Sequence, residues 1–229
     1  MPEDLQALIF DFDGTLAELR LDFSRMRKGV LALQEAFLPQ ASLSEDSWPV
    51  LEKVQEIRDM LEQSQPGLGL EFASRCRLFI TALEMDAAGK GRLFPYSLSI
   101  LEGLQNMGLL TGIVTRNCSA AVRTVFPEVQ DRCRVFLARE DVPNPKPHPD
   151  HLQAALQRLG VRSGACLMVG DHILDIQTAK ACGAKSAVVA TGSLGLQELL
   201  QAEPDYWAQD LPGLIQGLQK QGLLPAAGV

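Results

Sequence analysis

The sequence predicts an α/β fold: a parallel β-sheet covered by helices on both faces, with an α-helical lobe inserted after the first strand. Three observations carry that expectation. From about Leu93 onward, short apolar runs alternate with amphipathic helical stripes, a pattern that implies βαβ units and a parallel sheet. One further apolar run, Ala7, Leu8, Ile9 and Phe10, stands near the N-terminus and ends in Asp11-Phe12-Asp13-Gly14. Between residues 17 and 92 the pattern is helical, with no obvious strand. The expected division is a core of residues 1–16 and 93–229 and a lobe of residues 17–92.

The first run reads as a buried strand that delivers two acids to its C-terminal edge, where the chain leaves through Gly14. Open parallel sheets hold their ligands at that edge. Two carboxylates in one small site repel, so a cation or a shared proton is expected between them. In the lobe, Met26, Val30, Leu33 and Phe37 recur at i, i+4, i+7, i+11. The same spacing returns at Val50, Val54, Ile57 and Leu61, and at Phe72, Cys76, Phe79 and Leu83. Three such stripes predict a small helical bundle, punctuated by Pro39, Pro49 and Pro66-Gly67-Leu68-Gly69. Core strands are expected at 109–115, 134–138, 165–169 and 185–190. Helices are expected around Leu152, Ala155, Leu156 and Leu159, and around Leu211, Leu214, Ile215 and Leu218. Thr115 then ends one strand and Asp171 follows another, so both collect on the sheet edge that carries Asp11 and Asp13.

Composition narrows the class. The 229 residues are 46% hydrophobic and 21% charged, ordinary for a globular protein. A net charge of −7 argues against sequence-independent nucleic-acid binding. No apolar run approaches the ~18 residues of a membrane span. Glu3 and Asp4 stand where a signal peptide would be basic, so a cytoplasmic enzyme, monomer or homodimer, is expected. Five scattered cysteines without a Cys-x-x-Cys pair predict neither a disulfide framework nor a zinc site. His148 and His151 have roughly half-site spacing for zinc, but Pro149 lies between them and no cysteine pair completes the set.

Four motifs occur in order: Asp11-Phe12-Asp13-Gly14-Thr15, Thr115 at a strand end, Lys146-Pro147-His148-Pro149-Asp150, and Gly170-Asp171 with Asp175 four residues later. Together they resemble the haloacid dehalogenase superfamily, with the match nearest its phosphoglycolate phosphatase and β-phosphoglucomutase branch. The resemblance implies a Rossmann-like core, a helical cap and a magnesium-dependent phosphatase acting on a small phosphorylated metabolite. It makes Asp11 the nucleophile and Asp13 the general acid and base. It assigns Mg2+ to Asp11, the backbone carbonyl of Asp13 and Asp171, with Asp175 in support. Lys146 and the Thr115 hydroxyl would bind the phosphoryl oxygens, joined by the backbone N–H groups of Arg116 and Asn117.

Two departures from the branch pattern bear on substrate. Ala17-Glu18-Leu19 replaces an Asp followed by Ser or Thr, and His172 replaces a serine. Related mutases use a histidine in the cap, and no histidine precedes His148. The superfamily's dehalogenases lack an acid at the place of Asp13. A phosphonate hydrolase would need a cap lysine, for which Lys28 and Lys53 are candidates, and a catalytically silent binding protein is the different-class alternative. Arg25, Arg27, Lys28, Arg75 and Arg77 are candidate anchors for an acidic leaving group, and Cys118 is a bystander near the site.

Overall fold

The computed structural model describes residues 4–39 and 48–225; Glu3 lies outside them. The chain divides into two compact units, Met1–Leu19 with Ala88–Val229, and Arg20–Ala87.

The smaller unit contains α1 (Phe23–Phe37), α2 (Val50–Ser64) and α3 (Leu68–Ala88). Asp22 starts α1 by accepting the Arg25 N–H at 2.8 Å, satisfying one of the first-turn donors. The predicted stripes form its core: Met26 and Val30, Val50, Ile57 and Leu61, and Phe72 and Cys76 are buried, with Leu33, Phe37, Val54 and Leu83 packed around them. On α3 the stripe continues through Ile80 rather than Phe79, which is half-buried. Phe79 lies instead on Gly29 of α1, where a Cβ would stand 2.1 Å from its ring.

The larger unit contains β1 (Ala7–Phe10), β2 (Ala17–Glu18), β3 (Arg92–Leu93), β4 (Leu110–Val114), β5 (Val135–Leu137), β6 (Cys166–Gly170), β7 (Lys185–Val189) and β8 (Tyr206–Ala208). Its helices are α4 (Ser97–Asn106), α5 (Ser119–Val125), α6 (Val129–Arg132), α7 (Pro149–Leu159), α8 (Ile173–Cys182), α9 (Leu196–Leu200) and α10 (Leu211–Lys220). Six strands form one all-parallel sheet in the order β5-β4-β1-β6-β7-β8, flanked by helices. The four predicted core strands are present to within a residue or two at each end. β1 and β6 are buried along their whole length, as central parallel strands must be, and therefore read as unbroken apolar runs. Ile9, Val114, Leu137 and Met168 join Leu152, Leu156 and Ala179 in one core cluster.

Three strands differ from expectation. β2 and β3 form a two-residue antiparallel ladder within the larger unit, pairing Ala17 with Leu93 and Glu18 with Arg92. Glu18 uses its carboxylate there, accepting from Arg92 Nη2 at 2.9 Å. Such a ladder is too short to leave a periodic signal. β8 is a three-residue edge strand paired only with β7, and its exposed Trp207 breaks the buried-strand pattern.

The order of strands positions the site. The chain runs outward from β1 through β4 and β5, then returns to lay β6 on the other side of β1. That reversal opens a crevice beyond the carboxyl ends of β1 and β6, the place where open α/β sheets bind ligands. Register aligns the contributions: Phe10 pairs with both Ile113 and Val169. Asp11 is thus level with Val114 and Gly170, one residue short of Thr115 and Asp171.

Candidate active site

Asp11 continues β1 by donating its N–H to the Val169 carbonyl at 2.8 Å. Its carboxylate, with those of Asp171 and Asp175, forms a group whose ligand oxygens lie within 4.8 Å of one another. Lys146 enters the same space almost entirely buried, at 1% exposure. Its Nζ stands 2.6 Å from Asp175 Oδ1 and 2.9 Å from Asp11 Oδ1, the latter an ion pair that leaves Oδ1 without an aligned hydrogen-bond donor. Asp175 also accepts the His172 N–H at 3.1 Å through Oδ2. Both its oxygens are therefore engaged in holding Lys146 and the start of α8, where His172 Nδ1 in turn accepts the Leu174 N–H.

Charge sets the electrostatics of this cluster. Burial pushes the Asp171 carboxyl well above its usual range, and the neighbouring Asp11, Asp175 and Asp13 carboxylates add to the effect. Burial also raises Asp11, with Lys146 opposing it and Asp175 reinforcing it. For Lys146 burial favours the neutral amine, yet the carboxylates of Asp11 and Asp175 overturn it and raise its pKa. One ammonium facing three clustered carboxylates leaves an excess of negative charge, and hard oxygen donors of this kind suit a cation such as magnesium. The donor set fits the cation that the resemblance implies, with Asp175 held by Lys146 and the His172 N–H.

Asp13 lies just beyond the cluster of three side chains. Its Oδ1 accepts the Leu19 N–H at 2.8 Å, so Leu19 acts through its backbone. The Gly14 N–H donates to the Ala17 carbonyl at 2.8 Å, and Gly14 has φ +79, a conformation glycine adopts without strain. Because a trans peptide points its C=O opposite its N–H, this bond turns the Asp13 carbonyl away from Ala17.

Thr115 is fully buried at the end of β4. Its hydroxyl donates to Asn117 Oδ1 at 2.9 Å and accepts the Asn117 N–H at 3.2 Å. The Thr115 hydroxyl and the Asn117 amide are thus engaged with each other, and both must turn to serve a phosphoryl group. The Arg116 side chain has a role the sequence did not announce. Its Nη1 donates to the Lys146 carbonyl at 3.0 Å, and its own carbonyl accepts from Arg139 Nη1 at 3.1 Å.

His151 also went unassigned in the sequence. Its Nδ1 accepts the Lys146 N–H at 3.2 Å from a fully buried position. Burial first, then the Lys146 charge, lowers its pKa to about 4. It is a neutral acceptor that sets the lysine-bearing loop. His148 caps α7, its Nδ1 accepting the Asp150 N–H at 3.2 Å. Among the described residues neither histidine belongs to a metal-ligand group. All five cysteines are buried and free, Cys118 included.

Comparison with known proteins agrees with this geometry. The family model for haloacid dehalogenase-like hydrolases matches residues 8–189, and the chain belongs to that family. It is 30% identical to a phosphoglycolate phosphatase of Xanthomonas campestris pv. campestris, over 91% of this chain and 94% of that protein. It is 27% identical to an N-acetylmuramic acid 6-phosphate phosphatase of Pseudomonas aeruginosa, over 90% of this chain and 89% of that one. These likenesses place it with the phosphoglycolate phosphatase-like members of the family. Among solved structures, a hydrolase from Pseudomonas syringae superposes with a TM-score of 0.70 at 22% identity, covering 94% of this chain and 98% of its own. CbbY from Rhodobacter sphaeroides, solved with phosphate, gives 0.63 at 20% identity over 92% and 99%. At those identities the structures attest the fold alone. No helix among the described residues is long and apolar enough to cross a membrane.

Proposed function

We propose that this hydrolase is a magnesium-dependent phosphatase that cleaves a small phosphorylated metabolite, phosphoglycolate-like or a sugar phosphate, through an aspartyl-phosphate. The observation that carries the reading is the meeting of Asp11, Asp171 and Asp175 around one buried lysine at the crevice edge.

The Asp11 carboxylate attacks phosphorus in line, forming an Asp11–phosphorus bond as the ester P–O bond breaks. Asp13 gives its proton to the departing alcohol oxygen. It then takes a proton from the water that attacks the aspartyl-phosphate, which releases inorganic phosphate and restores Asp11. Asp13 needs freedom to reach both positions, and it stays half-buried while its Oδ1 accepts the Leu19 N–H. Lys146, positioned in advance by Arg116, His151 and Asp175, neutralises charge on the equatorial oxygens, and the reoriented Thr115 hydroxyl donates a hydrogen bond to them. Asp11, the Asp13 carbonyl and Asp171 would hold magnesium, which would supply charge neutralisation and alignment for the phosphoryl group.

The smaller unit, Arg20–Ala87, is the selector in this reading, hinged near residues 17–20 and 89–95. Lys53, one of the two candidate Schiff-base lysines, is tied in an ion pair with Glu56 at 2.9 Å. A panel of phosphorylated two- to six-carbon metabolites assayed with magnesium tests the proposal. Hydrolysis of at least one of them, abolished by chelator and poorly supported by calcium, is expected. Calcium takes more ligands at longer distances and spoils in-line geometry. Full activity in chelator would overturn the metal reading.

A further inference from the structure

We infer that Thr191 and Gly192, immediately after β7, are positioning residues for the metal-ligand loop, an inference that rests on reading Asp171 and the Asp13 carbonyl as ligands. Neither residue belongs to the four motifs, and 177 positions of sequence separate Thr191 from the glycine it touches.

Thr191 acts on the loop that follows β1. Its hydroxyl donates to the Gly14 carbonyl at 2.5 Å. The Gly14 N–H is already committed to Ala17. The peptides on both sides of Gly14 are therefore anchored, one to its own loop and the other to the far side of the crevice. The Asp13 carbonyl sits in the first of those peptides, so its direction is fixed by the pair of bonds.

Gly192 acts on Asp171. A Cβ at Gly192 would lie 1.7 Å from Asp171 Oδ2, and one at Gly14 would lie 2.3 Å from the same oxygen. The carboxylate occupies a slot between two glycine backbones, with the Thr15 hydroxyl donating to Oδ1 at 3.3 Å. Only hydrogen fits on either wall, and that closeness fixes how Asp171 presents its oxygens. Gly192 is not in the left-handed region, so an alanine there meets resistance from Asp171 rather than from its own backbone. Gly14 is different, because its φ of +79 would strain any side chain as well. Gly192 is therefore the cleaner probe.

Groups that orient ligands from outside the coordination sphere are typically worth about 10–100-fold in metal affinity. Calorimetric titration of Mg2+ into wild type, G192A, T191V and T191S reads this directly, with thermal unfolding in chelator run beside it. G192A should weaken Mg2+ binding by about 10–100-fold and T191V by about tenfold, while T191S, which keeps the hydroxyl, stays within about twofold of wild type. For T191V and T191S the unfolding midpoints in chelator should move little, because the loss falls on the ligand set and not on the core. If G192A fails to fold, the Thr191 pair decides by the same criterion. Wild-type affinity in T191V, or equal losses in T191V and T191S, would overturn the role of these residues while leaving the metal site intact. A wild-type protein that takes up no Mg2+ would overturn the metal reading itself, and this inference with it.

Discussion

Replacing Lys146 with methionine keeps the bulk of the stem and removes the ammonium from between two carboxylates. Its Nζ stands 2.9 Å from Asp11 and 2.6 Å from Asp175, with 1% of the side chain exposed. Breaking such a buried pair costs about 3–5 kcal/mol, because the remaining charge is left uncompensated. A folded domain has only about 5–15 kcal/mol to lose, so K146M should be severely destabilised in chelator at pH 8. The deficit has a definite pH dependence. Asp11 and Asp171 already bind protons more tightly in the folded protein than ordinary carboxyls do. A carboxyl raised in this way contributes stability fully present below its unfolded pKa and lost as pH rises through its folded pKa. Removing Lys146 raises both groups further, so the gap between wild type and variant should be small near pH 5 and open towards pH 8. Magnesium should narrow it again at pH 8 by replacing the missing charge. Urea unfolding at both pH values, with chelator and with magnesium, measures all four cases. A deficit of equal size in every case would refute the reasoning and reduce Lys146 to the packing of its stem.

Two further outcomes are expected. His151 should remain neutral by NMR down to about pH 4, where an ordinary histidine titrates near 6.5. Because its folded pKa is depressed, it contributes stability that is present above pH 6.5 and lost as pH falls towards 4. The excess stability of wild type over His151→Gln should therefore shrink by up to about 3 kcal/mol across that window, and a His151 titrating near 6.5 would contradict it. Deleting residues 20–87 should erode discrimination among alkyl phosphates before it abolishes attack on an activated aryl phosphate. A shortened protein with unchanged substrate preference would show that the helical unit is not the selector.

What could be read from the sequence follows from what is local in the structure. β1 and β6 are buried on both faces, so Ala7 to Phe10 and Cys166 to Gly170 carry unbroken apolar signatures, and the acids that follow them were found directly. Lys146 stood out because prolines frame it. The helical stripes of α1 and α2 were legible because each buries one face, whereas on α3 the inward position passed to Ile80 once Gly29 made room for Phe79. What escaped has a common cause. His151 under Lys146, Arg116 on the Lys146 carbonyl and Thr191 on Gly14 are contacts of single atoms, two of them across long stretches of chain. No periodicity or spacing encodes them. The β2–β3 ladder and the edge strand β8 were missed for a simpler reason, having two and three residues each.

The division of labour between Asp11 and Asp13 is the centre of the mechanism, and trapping the covalent phosphate tests it most directly. Phosphate-labelled substrate is mixed with Asp11→Asn and with Asp13→Asn, quenched in acid, and the label is located by peptide mapping. Asp11→Asn should show no turnover and no label. Asp13→Asn should turn over about 10²–10⁴-fold more slowly on alkyl phosphates, the usual worth of general acid–base catalysis. The deficit should be smaller on aryl phosphates, whose leaving groups need little protonation. With no base to activate water, this variant should accumulate label on Asp11. Label on Asp13 in the wild type or in Asp11→Asn, or equal residual rates for both variants on both substrate types, would contradict the account.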